Sequence, residues 1–193
     1  QMMRNILLEE KIKIYESIDL KKFKFAFVRT PYWEEHNDEC TKTELEKFIY
    51  ELTKLKYNIL EENLDDLILR SSEIHTNLSG FEFKRSIAAD RINHFEKLSE
   101  ILRFGRLTDG NKMSLQTYRK LQGQLEENRL NIEKRLNKYD CIITPSAPGE
   151  ALKGLEFTGS PMFNTTWTLT GMPAITLPIF KSKNNLPIGC QIV

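Results

Sequence analysis

The chain has 193 residues, 40% of them hydrophobic and 28% charged, with a net charge of +1. That composition can build a core and excludes a disordered polymer. Acidic and basic residues alternate, so no basic field invites nucleic acid, and no apolar run is long enough to cross a bilayer.

The opening stretch, QMMRNILLEEKIKIYESIDL, has a short apolar patch cut off by Glu9 and Glu10. It lacks the apolar core and small-residue cleavage site of a secretory signal, and residues 1–22 read as a helical lead-in to a single domain. The first residue is Gln, not Met. Residues 23–64 read as strand, helix, strand. FKFAFVRTPYW holds a buried strand ended by Pro31; Thr41 and Glu44 have capping-box spacing; Leu45, Phe48, Ile49, Leu52 and Leu55 then share one helical face; YNILEEN supplies the second strand. A crossover of this length predicts a right-handed βαβ unit.

Residues 65–138 read as helical. Ile87, Ile92, Phe95, Leu98 and Leu102 form a loose apolar stripe, and Gly80 and Gly105 read as breaks or caps. RSSEIH places Ser71, Ser72 and His75 together, but this reads as cap chemistry at a helix start, not as a nucleophile and its base. Ser114 is an N-cap for a long helix whose stripe runs through Leu115, Tyr118, Leu121, Leu125, Ile132, Leu136 and Tyr139. Residues 139–193 are strand-rich. CIITP, AITLPIF and IGCQIV are strands, the last two joined through Asn184-Asn185, and the first two are apolar enough to be covered on both faces. The fold class is therefore α/β, a mixed sheet covered by long helices.

Several chemistries find no footing. GFEFK, GRLTDG and GLEFTG lack the spacing of a phosphate loop, so no nucleotide cofactor is expected. His36, His75 and His94 have no paired ligands at metal spacing, so no metal is expected, and each reads as a surface or satisfied core histidine. The carboxylates Glu61, Glu62, Asp65 and Asp66 read as a solvated helix start. Cys40, Cys141 and Cys190 are far apart and odd in number, and the last two lie in apolar strands as inert thiols, which suits a reducing cytoplasm.

The segment GSPMFNTTWTLTGMPAITLPIF stands apart, poor in charge and rich in Gly, Pro, Thr and aromatics. With YDCIITPSAPGEA before it and LPIGCQIV after it, it resembles the C-terminal half of the amidase signature family. The resemblance rests on Tyr139–Asp140, Thr144–Pro145, Phe163–Asn164, Trp167–Thr168, Gly171, Pro173–Ala174 and Leu186 to Gln191. It is strong from Ser114 to Val193, moderate from Phe23 to Leu64 and weak between. It implies a partial amidase-signature fold and cleavage of amide bonds by acyl transfer from a serine, assisted by a second serine and a lysine.

That Ser-Ser-Lys set lies in Gly/Ser-rich loops which have no counterpart here, so no catalytic residue is carried over. What the resemblance implies is a contribution to the acyl-group pocket from Phe163, Asn164 and Trp167, with Arg103 as a further candidate for substrate binding. Core packing of the two aromatics, one helical turn apart, is the competing reading. Ser160-Pro161-Met162 stands where the glutamine-handling branch has an acidic residue, which favours a general amidase with a less polar substrate over a tRNA-amidotransferase component. Two functions follow. One is a fragment of an amide hydrolase, inactive alone, whose small amide substrate needs the missing N-terminal half of the domain. The other is a stand-alone, non-catalytic α/β binding or assembly module. Either leaves exposed sheet edges that favour a homo-oligomer.

Overall fold

A computed structural model describes residues 19–193. Most of the expected helical lead-in, residues 1–18, lies outside the described residues; within them, Leu20–Lys22 is a short 3-10 turn. The chain then runs β1 (Lys24–Phe27), α1 (Trp33–His36), α2 (Glu39–Lys54) and β2 (Asn58–Glu61). The helices α3 (Asp65–Ser86), α4 (Ala88–Asn93), α5 (Leu107–Asn111) and α6 (Leu115–Leu136) follow, then β3 (Cys141–Pro145), α7 (Met162–Thr170), β4 (Ile175–Lys181) and β5 (Pro187–Ile192).

The five strands form one mixed sheet in the order β2-β1-β3-β5-β4. β1 pairs in parallel with β2 and β3, and β5 pairs antiparallel with β3 and β4. Side chains alternate across the sheet with period two. On one face Ala26, Val28 and Ile142 join Leu64, Leu67 and Ile68, Ile132 and Leu136 of α6, and Trp167 of α7. On the other Phe27, Ile143, Ile188 and Cys190 pack with Trp33 and with Leu45 of α2. Each fully buried Leu or Ile stabilises by roughly 1.5–3 kcal/mol.

The family of expected elements is present, with local corrections. The cap of α2 is Asp38, whose carboxylate accepts the Thr41 N–H at 2.7 Å. Thr41 is therefore already inside the first turn, because a charged cap at the positive end of the helix wins over a hydroxyl three residues on. Leu55 lies beyond α2 and is exposed. Ser71 and Ser72 are mid-helix in α3, and Ser71 donates back to the Leu67 carbonyl and accepts from buried Asn128 of α6. The buried stripe of this region is Leu67, Ile68, Ile74, Leu78 and Phe81, whereas Ile92 and Phe95 are exposed. Gly80 is neither break nor cap: a Cβ there would lie 2.8 Å from Asp109 Cβ, so it lets α3 and α5 touch backbone to backbone. Gly105 lies inside a π-helical segment, Leu102–Arg106, and does not end it. Ser114 caps α6 as expected, accepting from Thr117 N–H at 3.1 Å.

The largest correction concerns β4. Its sequence predicts cover on both faces, as for β3, yet Ile175, Leu177 and Ile179 are exposed and only Phe180 is buried. β4 is an edge strand, a position that also tolerates Pro178 and its missing donor.

Candidate functional site

The carboxyl end of β3 opens into a cavity of about 670 Å³. Three segments build it: the loop after β3 from Ser146, the start of α7 with Asn164, and the α1–α2 junction with His36 at the end of α1 and Asp38 at the cap of α2. The motif residues explain how they meet. Pro145 ends β3, and Ser146 Oγ donates to the Gly189 carbonyl of β5 at 3.0 Å. A Cβ on Gly189 would overlap Ser146 Oγ, so glycine is required for this approach. Two residues on, Gln191 donates through Nε2 to Asn164 Oδ1 at 2.5 Å, and Asn164 donates through Nδ2 to the Ser146 carbonyl at 3.0 Å. The Leu-Pro-Ile-Gly-Cys-Gln run is thus a clamp that fixes α7 and the cavity loop to the sheet.

The exit from α7 is equally specified. Gly171 sits at φ +70°, the left-handed conformation that closes a helix, and Met172 N–H reaches back to the Trp167 carbonyl. Upstream, the Tyr139–Asp140 pair joins α6 to the sheet. Asp140 accepts the Lys24 N–H at 2.7 Å, and Tyr139 Oη donates to Glu62 at 2.9 Å. Lys138 Nζ lies 2.8 Å from Glu62, and this hydrogen bond, with Tyr139 and Arg135 beside it, holds the Glu62 carboxyl below its usual 4.5.

The junction between α1 and α2 is tied to the cavity loop at Asp38. Asp38 N–H donates to the Pro148 carbonyl at 2.8 Å, and a Cβ on Gly149 would overlap the Asp38 carboxylate. Thr30, between β1 and α1, has φ +72°, a strained conformation for a β-branched residue that costs about 1–3 kcal/mol. On the far side, Glu150 accepts from Ser182 Oγ and from Asn184 Nδ2 at 2.5 Å, which fastens the cavity loop to the β4–β5 turn.

Of the four residues expected to bind substrate, Asn164 lines the cavity. Phe163 is buried beneath it, edge-on to Tyr32 with centroids 5.9 Å apart. Trp167 is core, packed with Ala26, Val28 and Ile142. Arg103 lies in the π-helical segment, where it pairs with Glu96 at 2.9 Å, and is not among the residues lining this cavity. Sequence reasoning passes over Ser146, Asp38 and Glu150. His36, read as a surface or core histidine, lines the cavity with its side chain 47% exposed. Gly189 and Gln191 enter the sequence reading only as parts of a motif; their spacing, two residues on one strand face, is the signal. Burial pushes the Cys190 thiol up to about 12, and burial with the nearby Asp140 charge raises Cys141, so neither thiol is nucleophilic at neutral pH.

Comparison with known proteins places the chain in a family. The sequence profile of the amidase family matches residues 8–193. The chain belongs to the amidase family. Among curated proteins it is 32% identical over 146 residues to a glutamyl-tRNA(Gln) amidotransferase subunit of Ehrlichia canis, a match covering 65% of this chain and 30% of the relative. The corresponding protein of Koribacter versatilis is 27% identical across 86% of this chain and 40% of the relative. The amidase chain thus spans less than half the length of either. A solved amidase superposes on all of it with a TM-score of 0.78 at 22% identity, using 45% of that chain. A 6-aminohexanoate cyclic dimer hydrolase superposes on 89% with a TM-score of 0.66 at 17% identity, using 41% of that chain. These superpositions establish the fold. No helix among the described residues is long and apolar enough to cross a membrane.

Proposed function

We propose that these residues supply the sheet and the substrate-cavity wall of a carbon–nitrogen hydrolase acting on small amides, and that the attacking serine and its lysine come from polypeptide other than these 193 residues. The observation that carries the reading is the Gln191–Asn164–Ser146 clamp at the mouth of a cavity of ligand size. A clamp of this kind holds a wall to the tolerance that acyl transfer requires. Among the described residues, no serine hydroxyl is hydrogen-bonded to a lysine; Ser146, the serine that opens the cavity loop, donates instead to a carbonyl. Gln191 Oε1 and the hydroxyls of Thr144 and Thr166 are buried without a partner around the clamp, polar groups that further donors would satisfy. Three free thiols suit a reducing, cytoplasmic setting.

The test is ammonia release from simple amides by the 193-residue chain, expected at background. Turnover that disappears when a single serine of this chain is replaced by alanine would overturn the proposal. The native polypeptide, examined by mass spectrometry, is expected to be far heavier than 22.6 kDa and to carry a Ser-Ser-Lys set; a native species of 22.6 kDa argues for a stand-alone binding module.

A further inference from the structure

We infer that the cavity at the carboxyl end of β3 selects uncharged carboxamides with an apolar acyl chain and disfavours amides that carry a carboxylate. This rests on the reading of that cavity as the substrate site of an amide hydrolase, and it adds the class of amide.

The first argument is charge. The described lining holds two carboxylates, Asp38 and Glu150, and neither lysine nor arginine. The hydrogen-bond partners of both acids are neutral. Asp38 accepts a backbone N–H from Thr41, and Glu150 accepts the Ser182 hydroxyl and the Asn184 amide. The Glu150 charge is therefore oriented but not cancelled, and that of Asp38 meets only the partial positive charge at the start of α2. An amide that ends in a carboxylate brings that charge into this field, and His36 is the one basic side chain in the described wall.

The second argument is the rim. Leu152 and Phe157 line the mouth while 58% and 62% exposed, and Pro148 continues the same apolar wall inward. Large apolar side chains held at a cavity mouth have a ready use in covering an apolar ligand segment. The remaining polar groups of the wall, including Ser146, Ser160 and Asn164, are neutral donors and acceptors suited to a carboxamide.

Three probes on the 193-residue chain test this by NMR, followed at the amide resonances of Ser146, Phe157 and Asn164: hexanamide, adipamate, which is a six-carbon amide with a terminal carboxylate, and glutaramate, its five-carbon homologue. Hexanamide is expected to shift these resonances saturably, with adipamate and glutaramate at least about tenfold weaker from repulsion by Asp38 and Glu150. The exposed position of Phe157 lets Phe157→Asp fold normally, and it is expected to weaken hexanamide by about tenfold through lost apolar contact. Adipamate or glutaramate binding as tightly as hexanamide at these residues overturns the apolar selection and leaves the amide-site reading standing. If none of the three probes moves these resonances, both readings fail. Hexanamide shifts unchanged in Phe157→Asp overturn the assignment of the rim.

Discussion

β3 and β4 are written in nearly the same alphabet. CIITP and ITLPIFK are both apolar, β-branched and proline-containing, yet β3 is almost wholly buried at the centre of the sheet and β4 lies bare along its edge. The difference is not in the strands themselves. β3 has β1 on one side, β5 on the other and helices over both faces, whereas β4 has only β5 as a neighbour. Apolar sequence specifies strand; the neighbours specify burial.

The sharpest way to break the comparison is to place one charge in each strand. Ile143→Asp buries an unpaired carboxylate and is expected to cost about 4 kcal/mol or more, enough to abolish the cooperative thermal transition. Ile179→Asp, in an exposed position, is expected to stay within about 0.5 kcal/mol of the parent in chemical denaturation. Equal losses at the two sites would show that β4 is covered in solution.

A smaller effect tests the link between them, since β5 stands between both strands. Gly189→Ala pushes a methyl into Ser146 Oγ and toward Thr176 Cγ2, at 2.5 Å, and is expected to cost about 1–3 kcal/mol. Adding Ser146→Ala removes the first clash and is expected to recover part of that loss; strictly additive losses in the double-mutant cycle would refute the proposed contact.

The bare edge also predicts association. Sedimentation is expected to show concentration-dependent self-association of the chain and its reduction in Ile179→Lys with the melting temperature preserved. A parent chain that stays monomeric at high concentration sinks this expectation.

The smallest effect belongs to the opposite edge, just beyond β2, where Glu62 meets Lys138 and Tyr139. Glu62 has a folded-state pKa lowered by Lys138, so its contribution is complete above its ordinary 4.5 and fades as pH falls through the lowered folded value. Glu62→Gln is expected to lower stability slightly at neutral pH and to converge with the parent at low pH, which flattens the acid limb of the profile; an unchanged acid limb would show that the pairing is not felt in solution.

The alternating elements are legible in the sequence because periodicity survives without knowledge of neighbours. The tail motifs are legible as a family resemblance, and Gly171 as a helix exit. What stays hidden depends on approach across the chain. Gly80 looks like a helix breaker until Asp109 is seen against it, and Thr41 looks like a cap until Asp38 is. Phe163 and Trp167 share a helical turn, but only the sheet beneath α7 makes Trp167 core while Asn164 turns to the cavity. Arg103 attracts a substrate role by its place before Gly105, and its pairing with Glu96 depends on a fold that this local pattern does not contain.

Glu150 grips the turn between β4 and β5 with both of its oxygens. The hairpin tip and the cavity rim are therefore one lever. A force applied to the tip from outside is therefore felt in the cavity wall, so the periphery of this sheet has a short mechanical route to its cavity.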